Sequence, residues 1–291
     1  MGAARVATIP PATRRWLNVG VAAAILGVLV WRVGAGPFLD GLRAIDPWAL
    51  VAASGLAVVT TVCCAWRWTI VARGLGVDLP MRTAVAAYYR SLFLNVTVPG
   101  GVVGDVHRGF RHGRDTSDVG RGLRGVAWER AAGQIVQVVL TVAVLLALPS
   151  PVRAVVPLVA LGLVALAVGV VLALRTRAWP AIALASGLVV AGHAATFVIA
   201  ARSAGVTAPM SELVPLSLLV MQAAALPNVG GWGPREGVTA WAFAAAGLGA
   251  SVGVATAVVY GVMVFVASLP GAVVLVAGLG TPARWAGARD G

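Results

Sequence analysis

The stretch PGGVVGD, residues 99–105, follows an apolar run that is too short to cross a bilayer, and the stretch PNVGGWG, residues 227–233, follows a second such run. A proline with paired glycines stops a helix and lets the backbone turn sharply. We therefore predict a helix break at each stretch; the alternative is two unrelated turns in a chain with 36 glycines. The residues predicted to form the turns are Pro99, Gly100, Gly101, Gly104, Pro227, Gly230, Gly231 and Gly233.

The composition around these stretches is that of an integral membrane protein. Of the 291 residues, 59% are hydrophobic and 11% are charged, whereas a soluble domain carries about 25% charged residues. This excludes a soluble protein. Six apolar runs reach the length of roughly 20 residues that a bilayer-spanning helix needs. They are residues 16–33, 48–71, 126–148, 154–174, 179–201 and 251–279.

Arginine placement predicts the orientation of these spans, because short arginine-rich loops stay in the cytoplasm. All 22 basic residues are arginine, and several cluster in the N-terminal tail, in residues 105–124 and just after residue 174. With these segments in the cytoplasm, residues 83–98 must enter and leave on the cytoplasmic side. Residues 212–226 and 237–248 must enter and leave on the outer side. Both termini are then cytoplasmic, and the expected location is a bacterial plasma membrane.

The expected fold is an all-α polytopic membrane protein with about six transmembrane helices and two re-entrant helical hairpins. We treat residues 1–291 as a single integral-membrane domain of two halves, residues 16–148 and 154–279. Each half has an odd number of crossings, so the second half is inverted relative to the first. Secondary transporters with such an inverted repeat bind their substrate near the midplane, where broken helices meet.

Polar residues gather around the first break. Arg90, Asn95 and Arg108 are candidates for binding an anionic head group, because a guanidinium suits phosphate and a helix N-terminus attracts anions. Asp105 is a candidate for gating or ion pairing. The alternative is a cytoplasmic turn in which Asp105 caps a helix and the arginines extend to lipid head groups.

Glu129 and Arg130 lie at the start of the third long apolar run. Ionisable groups in a membrane helix are costly and are candidates for function by default. Because neighbouring residues do not share a helix face, we expect one of the two to pair with the first break. The other should face a cavity, with Arg130 binding a head group and Glu129 coupling to a proton. The alternative is a buried pair that holds the re-entrant element to the helix.

The second break has its own charged pair. Pro234 suits the first turn of a helix, which would place Arg235 and Glu236 near that helix N-terminus. We predict that Arg235 binds an anionic head group and that Glu236 serves in gating or ion pairing. Trp232 could line the site or anchor at the membrane interface, and the interface is the favoured interpretation.

Other polar residues have simpler interpretations. Arg67, between two tryptophans near the end of a span, is interpreted as extending to the membrane interface. His193 is expected to hydrogen-bond to a neighbouring helix. The three histidines and the adjacent Cys63 and Cys64 lack the spacing of a metal site. We expect no metal, no cofactor and no catalytic residue.

In their order and spacing, these residues resemble the flippase-like transmembrane domain at the N-terminus of bacterial lysylphosphatidylglycerol synthases, also called multiple peptide resistance factors. The likeness spans nearly the whole chain. It rests on the two break sequences and on the residues that accompany them. These residues are Arg90, Asn95, Asp105, Arg108, Glu129, Arg130, Gly133, Arg235 and Glu236.

The resemblance implies transport of a lipid with an anionic head group between leaflets, through a cavity where the two re-entrant halves meet. The implied cargo is an aminoacyl-phosphatidylglycerol-type phospholipid or a polyprenyl-phosphate-linked carrier. In two-domain relatives a separate soluble C-terminal domain transfers lysine from charged tRNA to phosphatidylglycerol, whereas this sequence ends shortly after its last apolar run. We therefore expect a lipid flippase or scramblase and not an enzyme.

Two other functions stay open. One is an integral-membrane transferase that uses a polyprenyl-phosphate donor, with Asp105, Glu129 or Glu236 as the base. The other is a non-transporting scaffold for cell-envelope enzymes. The expected partners are anionic membrane lipids and no nucleic acid, while a homo-oligomer or envelope-biosynthesis enzymes are open possibilities. The chain has no lysine for a nucleotide-binding P-loop, so we expect transport down a gradient or coupled to an ion.

Overall fold

The computed structural model of the protein describes residues 34–147, 178–223, 228 and 232–279, together with residues 27, 30 and 31. Most of the predicted span 16–33, all of span 154–174, and Pro227, Gly230 and Gly231 lie outside the described residues. The regular elements in the described part are α-helices. They are α1 (Gly36–Arg43), α2 (Pro47–Gly74), α3 (Met81–Thr97), α4 (Val103–Asp115), α5 (Val119–Ala147), α6 (Trp179–Ser203), α7 (Met210–Ala223), α8 (Pro234–Ala245), α9 (Ala250–Ser268) and α10 (Pro270–Leu279).

Four helical stretches are long and apolar enough to cross a membrane. Each has 25 to 29 residues, more than the roughly 20 that a hydrocarbon core requires. The prediction of an all-α polytopic membrane protein is therefore confirmed, and these stretches coincide with four of the predicted spans. The full number of spans and the re-entrant hairpins stay predictions. The four stretches are Pro47–Gly74, Val119–Ala147, Trp179–Ser203 and Ala250–Ala277.

The first predicted break separates α3 from α4. Helix α3 ends at Thr97 and α4 begins at Val103. Between them the backbone φ is 121° at Gly100 and 66° at Gly101. Residues with a Cβ rarely adopt these angles, so the paired glycines allow the turn. The helix therefore ends at the proline and glycines where the sequence predicted a break.

The second predicted break precedes α8. Gly233 has a φ of 109° and stands directly before the helix, while Pro234 occupies the first helical position. Proline is favoured there because its fixed φ matches a helix and its missing N–H would have no partner within the helix. The start of α8 at Pro234 agrees with the sequence prediction.

The helices beside the two breaks pack against other helices of the described chain. Helix α4 lies along α5, α3 lies along α10, and α8 contacts both α7 and α9. The rings of Phe197 and Phe243, with centroids 6.2 Å apart, hold α8 against α6. Leu213 of α7 belongs to the same buried cluster. These apolar contacts pack α8, the helix that follows the second break, against α6 and α7.

Candidate functional site

The two breaks contact each other directly. The backbone N–H of Gly100 donates a hydrogen bond of 3.0 Å to the backbone carbonyl of Asn228. A Cβ built at Gly101 would lie 2.6 Å from the Nδ2 atom of Asn228. Glycine at residue 101 is therefore required both by its φ and by this close approach. Segments that are more than 100 residues apart in sequence form one joint.

A cavity of about 200 Å³ borders this joint and is called the central cavity below. Both breaks line it, together with α6 and α9. It therefore lies where the sequence predicted that the two broken elements meet. Among its lining residues are Asn95, Gly101, His193, Asn228, Trp232, Arg235 and Tyr260.

Arg235 is the cation of the central cavity. Its residue is 9% exposed, and its guanidinium carbon lies 5.3 Å from the ring centre of Trp232 and 5.5 Å from that of Tyr260. A Cβ at Gly261 would lie 2.5 Å from its Nη2 atom. The guanidinium thus occupies space that a glycine leaves, between two aromatic rings that favour a cation. Trp232 lines the cavity, contrary to the favoured interface interpretation.

Glu236 holds both Arg235 and the start of α8. Its Oε1 atom accepts a hydrogen bond of 2.9 Å from Nε of Arg235. Its Oε2 atom accepts a bond of 2.6 Å from the backbone N–H of Gly233. The carboxylate is therefore a capping residue for α8 as well as an ion-pair partner.

His193 joins the central cavity to a second, apolar cavity. Its Nδ1 atom lies 3.3 Å from the hydroxyl oxygen of Tyr260 on α9, which confirms the predicted hydrogen bond to a neighbouring helix. The apolar cavity has a volume of about 80 Å³ and lies among α2, α3, α6 and α9. Val96, His193 and Val264 line both cavities. The apolar cavity therefore adjoins the central cavity, which Arg235 lines.

A buried ion-pair network lies on the other side of the first break. Glu129 is fully buried. Its Oε1 atom accepts a hydrogen bond of 2.8 Å from Nε of Arg67, and its Oε2 atom accepts one of 2.7 Å from Nη2 of Arg108. Arg67 also donates a bond of 3.0 Å to the hydroxyl of Ser186 on α6. The carboxylate thereby links α5 to α2 and α4, and Arg67 extends the network to α6.

The interface interpretation of Arg67 is wrong. Arg67 is 7% exposed and turns inward to Glu129. A buried carboxylate needs a compensating charge. Gly133, one turn after Glu129, makes room for the guanidinium of Arg67. A Cβ at Gly133 would lie 2.5 Å from Nη1 of Arg67. The sequence signal available for this pairing was Glu129 itself, because an ionisable residue in an apolar run needs a partner.

Asp105 is the second acid of the network. It forms an ion pair with Arg130 and accepts a hydrogen bond of 3.0 Å from Nε of Arg108. The Nδ2 atom of Asn95 donates a hydrogen bond of 2.9 Å to Asp105. The Oδ1 atom of Asn95 accepts a hydrogen bond of 2.8 Å from the backbone N–H of Gly104. Asn95 therefore connects the network to the central cavity, which it also lines.

Glu129 and Arg130 do not divide their roles as expected. Glu129 pairs with Arg108 and Arg130 pairs with Asp105, so both contact the helix that follows the first break. Neither residue lines the central cavity or the apolar cavity. The two successive residues therefore contact different residues of α4, Arg108 and Asp105, which lie one helical turn apart.

The four arginines predicted to hold one head group lie in different places. Arg235 lines the central cavity, as does Asn95. Arg90 and Arg108 line another pocket, of about 380 Å³, between α2, α3 and α4. Arg130 lines neither, and its side chain is 45% exposed. The sequence identified these arginines as a group but could not separate them into three locations.

Residues 15–186 match the family model described as the lysylphosphatidylglycerol synthase TM region. The matched part contains the first break and the whole buried network from Arg67 to Ser186. The second break, with Arg235 and Glu236, follows it. No curated protein matches the chain.

Proposed function

This chain belongs to the lysylphosphatidylglycerol synthase TM-region family, and we propose that it moves a lipid with an anionic head group between the two leaflets of a bacterial plasma membrane. The cargo is an aminoacyl-phosphatidylglycerol-type phospholipid or a polyprenyl-phosphate-linked carrier. Transport proceeds by equilibration or with ion coupling.

The observation that carries this proposal is the pair of adjoining cavities beside the joint of the two breaks. The central cavity contains a buried guanidinium, and the apolar cavity shares Val96, His193 and Val264 with it. An amphiphile needs a charged chamber next to apolar surface, because its head group and its tails differ in polarity. The central cavity, at about 200 Å³, suits the phosphate of a head group, while the tails remain in the bilayer.

Arg235 is the residue that we propose to bind the head-group phosphate. Charge-assisted hydrogen bonds from a desolvated guanidinium are stronger than those of neutral donors. Glu236 already holds Nε and Nη2 of Arg235, so the attraction for a second anion is moderated. Moderate affinity suits transport, since a carrier must release its cargo.

The buried network supports this proposal by holding the first break in place. Glu129 and Asp105 tie α4 to three other helices, and Asn95 connects that network to the central cavity. Because Glu129 lines neither the central nor the apolar cavity, we assign it to maintaining this arrangement rather than to carrying a proton.

The transferase alternative has less support. A catalytic base must lie within hydrogen-bond reach of the group that it deprotonates. Asp105, Glu129 and Glu236 each pair with an arginine, and none lines the central or the apolar cavity. Formation of a transferred product by the purified protein and a lipid-linked sugar would restore that alternative.

The test is lipid movement in reconstituted vesicles. Vesicles of phosphatidylcholine with a trace of fluorescent phosphatidylglycerol are exposed to a membrane-impermeant quencher, and the rate at which protected label becomes accessible is measured. We expect Arg235→Gln to slow this rate about tenfold or more, because a charge-assisted hydrogen bond to the head group is lost.

The matched control is Arg124→Gln. Arg124 is also an arginine of a described helix but is exposed, so its replacement should leave the rate unchanged. An Arg235→Gln protein that folds normally and moves lipid as fast as the parent would defeat the assignment. A parent that moves no anionic lipid faster than empty vesicles would defeat the proposed function itself.

A further inference from the structure

The pocket between α2, α3 and α4 has a strongly basic lining and is called the basic pocket below. Its volume is about 380 Å³. Four arginines line it against a single carboxylate, that of Asp115. Arg108 is also paired with Asp105 and Glu129, so the other three arginines supply the excess of positive charge. No lining residue is shared with the central or the apolar cavity. The four arginines are Arg82, Arg90, Arg108 and Arg111.

Three buried donors of the basic pocket have no hydrogen-bond partner among the described residues. They are Nε1 of Trp68, Nε of Arg90 and Nη1 of Arg108. Trp68 and Arg108 are 1% exposed, and Arg90 is 8% exposed. Buried donors are normally paired, and each that is not costs free energy. Their convergence at one pocket points to an acceptor that is not part of the chain.

Arg90 and Arg108 differ in what already holds them. Arg108 pairs inward with Glu129 and Asp105 and stacks over the ring of Tyr88 at 4.1 Å. Arg90 has no described carboxylate within ion-pairing distance, although it is buried. Ion pairs therefore compensate the buried charge of Arg108. No described ion pair compensates the buried charge of Arg90.

His107 of α4 is close enough to Arg90 and Arg111 to be affected by their charges. Burial lowers the pKa of His107, and the positive charges of Arg90 and Arg111 lower it further. His112, which lines the basic pocket, has a pKa that burial lowers and the carboxylate of Asp115 raises. A potential that disfavours a proton favours an anion.

We propose that the basic pocket binds a phosphate monoester dianion through Arg90, Arg108 and Arg111. A dianion matches the excess of positive charge better than a phosphodiester with one charge. Guanidinium and indole N–H groups donate to the several oxygens of a tetrahedral phosphate. This site is separate from the central cavity and does not depend on lipid transport. Its ligand is either the head group of a monophosphate lipid or a soluble phosphate.

The test measures binding to the full chain purified in a neutral detergent, by calorimetric titration. The probes are inorganic phosphate, phosphatidic acid in mixed micelles, and phosphatidylcholine in the same micelles. We expect phosphatidic acid, inorganic phosphate or both to bind, and phosphatidylcholine not to bind at this site. Binding of phosphatidic acid alone identifies a lipid ligand, whereas equal binding of inorganic phosphate identifies a soluble one.

The variant Arg90→Gln should raise the dissociation constant about tenfold or more. Because Arg90 has no described ion pair to lose, the variant should unfold at the same temperature as the parent protein or at a higher one. This measurement separates lost binding from misfolding. Arg111→Gln, at an exposed residue of the same pocket, should weaken binding, and Arg124→Gln should not. The proposal is overturned if neither phosphate probe binds the parent, or if Arg90→Gln binds as tightly as the parent.

Discussion

The two breaks place an acid at the same position but use it differently. Asp105 is the third residue of α4, and Glu236 is the third residue of α8. Asp105 accepts hydrogen bonds from α3 and α5 as well as from its own helix. Among the residues that the structure describes, Glu236 holds only the adjacent Arg235 and the N–H of Gly233. The first acid connects helices, and the second completes its own helix start.

This difference indicates which break is free to shift during the transport that we propose. Moving α4 relative to α3 or α5 would separate buried charges, which is costly. Moving α8 would carry the whole Arg235–Glu236 pair with it, so none of the interhelical ion pairs in the described part of the chain would break. We therefore expect the first break to be the fixed side of the central cavity and the second break to be the adjustable side.

The largest effect is expected at Glu129, the centre of the fixed side. Glu129→Gln leaves Arg67 and Arg108 buried with their shared counter-charge removed, and should lower the free energy of unfolding by about 3–5 kcal/mol. Unfolding in detergent, followed by circular dichroism, measures this. Glu212→Gln, at an exposed residue of α7, is the control and should change it by less than about 0.5 kcal/mol. Equal stability of the two variants would contradict the role of the network.

The next effect compares the two acids directly. Asp105→Asn weakens contacts to three helices and should destabilise by about 2–4 kcal/mol. Glu236→Gln affects one ion pair within α8 and should destabilise by about 1–2 kcal/mol. The same unfolding experiment measures both. If Glu236→Gln lowered the stability more than Asp105→Asn, the contrast would be wrong between an acid that connects several helices and one that binds only the start of its own helix.

A smaller effect is expected when glycines beside the two breaks are replaced. A Cβ at Gly104 would collide with the backbone carbonyl of Ser91, so Gly104→Ala should destabilise by about 1–3 kcal/mol. At Gly261 the obstacles are side chains and not backbone: the guanidinium of Arg235 and the ring of Trp232. Gly261→Ala should therefore cost less than about 1 kcal/mol but slow lipid movement by displacing the guanidinium. A Gly261→Ala protein with unchanged transport would count against Arg235.

The smallest effect is expected at an exposed ion pair outside both breaks. Nε of Arg121 lies 3.2 Å from Oδ2 of Asp118, and both side chains are more than one third exposed. Arg121→Gln should change the free energy of unfolding by about 0–1 kcal/mol, because solvent screens such pairs. A larger loss would mean that arginines of this chain matter for stability irrespective of burial.

Much of the fold could be predicted because the relevant signals are local. The length of an apolar run decides whether a helix can cross a bilayer, and PGG at residues 99–101 and GP at residues 233–234 mark where helices end or begin. The polar residues of the site were also identified, because charges are rare in apolar helices. Arg67 was misinterpreted because its neighbours Trp66 and Trp68 are typical of an interface, while its partner Glu129 lies 62 residues away.

By itself, the sequence determined that this is a helical membrane protein with two broken segments and a small set of charged residues near them. Only the tertiary structure decided which charges meet: Arg67 and Arg108 with Glu129, Arg130 with Asp105, and Arg235 with Glu236. It also decided that Arg235 and Arg90 line different cavities. The reason is physical. Helix formation and breaking depend on neighbouring residues, whereas the compensation of a buried charge depends on which helices pack together.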